Sequence, residues 1–187
     1  MNGFTRKNGT VVAVLSQQEA AVIRGLVGQI KDMLAARADE APRDELAEIT
    51  GIRAGPATPP EDQVIGRLLP DFYRQDPDTG ETDEEETGAA GAMRSLHEPE
   101  VLDHKTGVAA LVLRTCPSEG GKVKLTAEEA DGWLTAINDV RLALGTALEV
   151  TDDMPDELPE DELQREHLGV YQWLTWVQDN LVEALAS

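Results

Sequence analysis

The side chains best able to do chemistry are few in this chain, and their spacing limits what they could do. Cys116 is the single cysteine. In space it could meet His97, His104 or His167, and a thiol beside an imidazole is the arrangement that activates a cysteine nucleophile. No local motif supports such a pair, because Cys116 stands just before Pro117 at the expected end of a helix. A structural cysteine fits better, followed by an exposed thiol that senses oxidants through sulfenic acid or an intermolecular disulfide. One cysteine excludes an intramolecular disulfide and any disulfide scaffold.

His97 and His104 lie seven residues apart with Pro99 between them. Zinc sites show tighter pairs of ligands. Solvated histidines are expected, and Glu98, Glu100 and Asp103 beside them read as ordinary surface residues. Asp76-Pro77-Asp78-Thr79-Gly80-Glu81 begins like a calcium loop. The pattern then fails: Glu81 stands where the sharp turn needs glycine, and Thr87 where the final bidentate glutamate belongs. Gly51, Gly55, Gly88 and Gly91 lack the strand-to-helix setting and lysine of a phosphate loop. No catalytic residue, metal ligand or cofactor is expected, and the chain reads as a non-enzyme.

The most informative stretch is Asn138-Asp139-Val140-Arg141-Leu142-Ala143-Leu144-Gly145. On a helix, Arg141 falls within the apolar sector of Trp133, Ile137 and Leu148. A charge there must be satisfied inside the chain or meet a partner surface. Both readings stay open, the internal one being the more ordinary. Asn138 lies on the flank one turn earlier, and Gly145 one turn later permits close backbone approach. Trp133, Asn138, Arg141 and Gly145 are therefore one candidate interaction set. Tyr73 and Arg74, which follow Leu68–Asp71, are the other.

The elements that must position these residues are mostly helical. Asn8-Gly9 is a strong turn dipeptide between Phe4–Lys7 and Val11–Leu15, so a hairpin is expected. Ser16 and Glu19 form a capping box, and apolar positions from Ala20 to Leu34 predict a helix over about 17–36. Residues 37–60 hold Pro42, Gly51, Gly55, Pro56, Pro59 and Pro60 and read as a flexible linker. A short helix over 62–69 is stopped by Pro70. Residues 76–87 and 151–162 read as acidic loops. Between them, helices are expected at 89–96 and 99–115, with Pro99 in a first turn. Lys122–Leu125 alternates as a half-exposed strand would. Thr126 and Glu129 form a second capping box, opening a helix to about Leu148. A final helix runs to about Ala186.

Leu15–Ala20 and Leu125–Ala130 echo each other: strand, capping box, long helix. The expectation is that their strands pair in one small sheet. The fold expected is α+β and mostly helical, a single domain over 1–187 with a small antiparallel sheet packed on a helical bundle.

Composition narrows the partner. The net charge is −20, with 36 acidic residues against 16 basic. Nucleic-acid binding draws its general affinity from Lys and Arg neutralising phosphates, so direct DNA binding is disfavoured, and an anionic membrane surface likewise. Nothing at Met1–Lys7 resembles a signal peptide, and the run Val108–Leu113 is too short to span a bilayer. The cytoplasm is the expected compartment. A protein with a basic surface is the expected partner.

Trp133–Gly145 resembles an actinobacterial family of domains of unknown function described as actinomycete oxidative-stress transcriptional regulators. So do Phe4–Leu15, Arg67-Leu68-Leu69-Pro70-Asp71 with Tyr73-Arg74, Val123–Thr126 and Val170-Tyr171-Gln172-Trp173-Leu174, so the likeness covers nearly the whole chain. The resemblance implies a regulator that responds to oxidants, cooperates with an alternative sigma factor and acts on genes of sulfur-carrier-dependent cysteine synthesis. Its members are commonly encoded near such genes and near a protease adaptor. A switch built on an intramolecular cysteine pair cannot operate with Cys116 alone. The expected function is transcription-associated regulation by protein contact. The alternatives are a small-molecule or enzymatic domain of sulfur metabolism with a pocket around Asn138 and Arg141, or a plain homodimeric structural protein.

Overall fold

The computed structural model describes residues 2–42, 53–72, 84–151 and 161–187. The order is β1 (Asn2–Lys7), β2 (Thr10–Leu15), α1 (Gln17–Asp39), α2 (Gln63–Leu68), α3 (Glu84–Thr115), β3 (Gly121–Leu125), α4 (Ala127–Ala147) and α5 (Glu162–Ala186). Tyr73, Arg74, residues 43–52 of the expected linker, 76–83 of the first acidic loop and 152–160 of the second lie outside the described residues.

The expected α+β, mostly helical fold is what the chain forms. Asn8 and Gly9 both take positive φ, 50° and 78°. That is the two-residue turn whose twist matches a hairpin, and it sets Lys7 opposite Thr10. β2 lies at the centre of the sheet, antiparallel to both neighbours. Val12 faces Lys124 and Leu15 faces Gly121, so the two strand–helix units pair through their strands. Both capping boxes form, at Ser16/Glu19 and Thr126/Glu129. Gly120, at φ 75°, brings β3 against the first unit; a Cβ there would lie 2.6 Å from the Gln17 nitrogen.

One face of the sheet meets the helices. Phe4, Val11, Ala13, Leu15, Val123 and Leu125 are buried with Ile23, Val27, Leu34, Val112, Trp133, Ile137, Leu174, Val177 and Leu181. Burying each such aliphatic side chain is worth about 1.5–3 kcal/mol, and this shared core holds the helices in register. On α5, Val182 is exposed, and Ala184 is buried in the core with Leu181.

Three expectations change. α3 runs unbroken from Glu84 to Thr115 with Pro99 inside it, instead of stopping and restarting there. It also begins within the stretch expected to be a loop. A mid-helix proline removes one hydrogen bond, leaving the carbonyl four residues earlier without its donor. Here that acceptor is Ser95, and the Gly55 N–H donates to it at 2.7 Å. The Ser95 hydroxyl donates back to the Gly55 carbonyl at 2.8 Å. Secondly, the described end of the expected linker is thereby docked: Gly55 and Pro56 are buried. Thirdly, α1 extends to Asp39 and buries Arg37. Among the described residues, no helix is long and apolar enough to cross a membrane.

Candidate functional site

The apolar series Ile23, Val27, Ile30 and Leu34 on α1 continues to Arg37, which is 3% exposed. A buried guanidinium needs a carboxylate, and Glu98 of α3, wholly buried, supplies it. Arg37 Nε donates to Glu98 Oε1 at 2.7 Å, and Arg94 Nη1 donates to Glu98 Oε2 at 2.5 Å. The outer edges of the two guanidiniums reach Glu40, the Thr58 carbonyl, Asp71 and the Leu69 carbonyl. Burial alone would push the Arg37 pKa down; Glu98 and Glu40 hold it above its ordinary value. Glu98 is thus the centre of a triad joining α1, α3 and the segments flanking α2, rather than an ordinary surface residue. The sequence signal was present, since Arg94 and Glu98 stand at i, i+4 and Arg37 extends the buried stripe of α1.

A second buried charge, Asp139 on α4, accepts from Lys105 Nζ of α3 at 2.5 Å. Burial raises the Asp139 pKa, opposed by Lys105. Arg24 of α1 donates to the carbonyls of Leu113 and Cys116, at 2.6 and 2.7 Å, capping the C-terminal end of α3.

Asn138, Arg141 and Gly145 are brought together, as their spacing implies, but onto the chain's own α5. Arg141 Nη1 donates to Gln178 Oε1, and Gln178 Nε2 donates to Asn138 Oδ1 at 3.2 Å. The guanidinium lies 5.8 Å from the Tyr171 ring centroid, a cation–π contact. Gly145 gives that ring its room: a Cβ would stand 3.1 Å from Tyr171 Cε2. Trp133 departs from the expected interaction surface altogether. It is fully buried, edge-on to Phe4 at 5.8 Å, with its Nε1 donating to Thr115 Oγ1 at 2.7 Å. It is the largest apolar side chain of its helix sector, and the space between sheet and bundle requires it.

Cys116 is not an exposed thiol. It is 3% accessible, and burial pushes its pKa up to about 11, with Arg24 opposing. A protonated, shielded thiol is a poor nucleophile and a slow oxidant target. His97 rests against the Phe72 ring at 5.9 Å, and His104 is exposed. Among the described residues, no group of three or more His, Cys, Asp or Glu could hold a metal ion.

The open concave surface lies elsewhere. A groove of about 400 Å³ runs between α1 and α4. Leu26, Ile30 and Met33 form one wall, Val140, Leu144 and Ala147 the other, with Val64 of α2 alongside. Met33 also lines a larger cavity of about 660 Å³, bordered by Glu40, Glu61, Asp62, Pro59 and Pro60. A third, of about 490 Å³, lies between the start of α1 and α5, at Val22, Val170 and Trp173. None of the three is lined by Asn138, Arg141 or Cys116.

This arrangement defines a mostly helical α+β domain whose buried ions serve its own packing and whose open concave surface is apolar with an acidic margin. The chain belongs to the family Domain of unknown function (DUF2017), matched over residues 1–185. It is similar to the proteins named "Oxidative stress regulator AosR" of Mycobacterium bovis and Mycobacterium tuberculosis. Each is 43% identical over 185 residues, covering 97% of this chain and 84% of the relative. No solved structure matches it.

Proposed function

We propose that this chain is a non-enzymatic regulator of the oxidative-stress response that acts on transcription through contact with another protein. The observation that carries the reading is 43% identity along 97% of the chain to proteins named oxidative stress regulator. The match spans 185 residues, nearly the whole chain.

The mode of action follows from charge. At −20 the chain repels a phosphate backbone on average, so a basic protein surface is a better partner than DNA. A sigma factor, which itself supplies the DNA contacts, fits that role, and cysteine-synthesis genes are the targets the family resemblance suggests. The buried Cys116 argues that the oxidant is sensed by the partner or upstream of it. The cytoplasm is the compartment where such a complex works.

Transcript profiling tests the regulatory reading. A strain lacking the gene should fail to induce a set of oxidant-responsive transcripts, with restoration by the native chain and equally by Cys116→Ser. An unchanged oxidant response in the deletion strain would overturn it.

A further inference from the structure

We infer that the groove between α1 and α4 docks a short amphipathic helix of the partner, apolar along one face and basic at one end. This rests on the protein-contact reading above and adds the surface and the chemistry of what binds it.

The walls set the length. Leu26 to Met33 and Val140 to Ala147 each span eight residues, about 10 Å of helix at 1.5 Å per step. Two turns of a third helix match that length, with apolar anchors at i, i+3 or i+4, and i+7, the spacing by which helices lie in grooves. Leu26, Met33, Val64 and Leu144 are only partly buried against the core, so apolar surface remains for an occupant to cover.

The margin sets the charge. The groove is bordered by Asp32, and the neighbouring cavity, which shares Met33 with it, by Glu40, Glu61 and Asp62, all exposed. Arg37, the one cation lining either cavity among the described residues, is buried, with its guanidinium engaged by Glu98 and Glu40. Among the described residues, every exposed charge lining the two cavities is therefore negative. Lys or Arg at one end of the incoming helix would meet these carboxylates, which speeds encounter and fixes direction. An acidic or uncharged apolar helix would lack that match.

The test uses the full chain with p-benzoylphenylalanine in place of Met33. The probe is a synthetic fourteen-residue helix with leucines at the groove spacing and lysines in its C-terminal half. Its control is the same peptide with glutamate for lysine. Ultraviolet irradiation followed by peptide mapping should link position 33 to the lysine peptide, with at least about tenfold less product for the glutamate peptide or in 0.5 M salt. The Leu144→Glu variant should give correspondingly less product while melting as a folded protein. Equal labelling by both peptides would overturn the charge assignment. A link from position 33 to a second copy, or to residues 43–52 of the same chain, would give the groove another occupant and overturn the proposal. If Leu144→Glu still captures the native partner while these links fail, only the groove is wrong and protein contact stands.

Discussion

The Gly55 N–H donates at 2.7 Å to the Ser95 carbonyl, the acceptor that Pro99 leaves without its helical donor. One loop residue thus repairs the ladder of a helix far from it in sequence, and the helix in return fixes the loop. The fit is tight there: a Cβ would lie 3.1 Å from both Cγ and Cδ of Pro99, so the proline ring would have to give way by a few tenths of an ångström.

Gly55→Ala should therefore destabilise the chain by about 1–3 kcal/mol, the usual cost of overpacking. In a Pro99→Ala background the clash disappears, and the cost should fall by more than about 0.5 kcal/mol. Urea unfolding of the four variants gives the coupling directly. Additive losses would mean that the loop is not held by this contact.

Glu98→Gln leaves two guanidiniums facing a neutral amide in a buried site. A loss of about 3–5 kcal/mol is expected. The triple change Arg37→Met, Arg94→Met, Glu98→Leu should cost less than that single one, because no uncompensated charge remains. Thermal and chemical melts decide between them. A triple variant much weaker than Glu98→Gln would show that the triad contributes net stability as an ion network.

The Asp139–Lys105 pair predicts a pH dependence with a definite sign. Burial already holds the Asp139 pKa above its ordinary value, against the pull of Lys105. In Lys105→Met that opposition is gone, so the folded-state pKa rises further. A raised folded pKa gives stability that is present below the unfolded value and lost as pH rises through the folded one. The penalty of Lys105→Met should therefore be small near about pH 4 and reach about 3 kcal/mol or more near neutrality. Asp139→Asn should vary much less over that range. Denaturant melts at several pH values measure both.

Cys116 should be silent to thiol reagents while the chain is folded. It is buried and its pKa is pushed to about 11. Reaction with Ellman's reagent at neutral pH should be negligible in buffer and stoichiometric in strong denaturant. Rapid stoichiometric labelling of the native chain would return the thiol to consideration as a sensor.

Local signals made most of the fold legible. The Asn8-Gly9 turn, both capping boxes and the alternation at Lys122–Leu125 fixed the hairpin, two helix starts and the third strand, and the echo between the units indicated their pairing. What could not be read depends on contacts distant in sequence. Pro99 looked like a helix start because its missing donor is supplied by the N–H of Gly55, far earlier in the chain. Glu98 looked solvated because Arg37 of α1 reaches it only after folding, although Arg94 one turn earlier on α3 was a local sign. Trp133 looked like a surface anchor because periodicity identifies an apolar face but not whether the chain itself covers it. Arg141 and Asn138 do stand side by side, yet Gln178 and Tyr171, which hold them, lie on another helix. The groove was not visible at all, since it is a gap between two helices rather than a motif.

Contact with a basic protein is tested most directly by affinity capture of the tagged chain from its host's lysate, with nuclease present and at two salt concentrations. The predicted result is recovery of a sigma factor or RNA polymerase that survives nuclease and weakens as salt rises. Recovery of the chain alone, or of transcription proteins that vanish once nuclease is added, would contradict it.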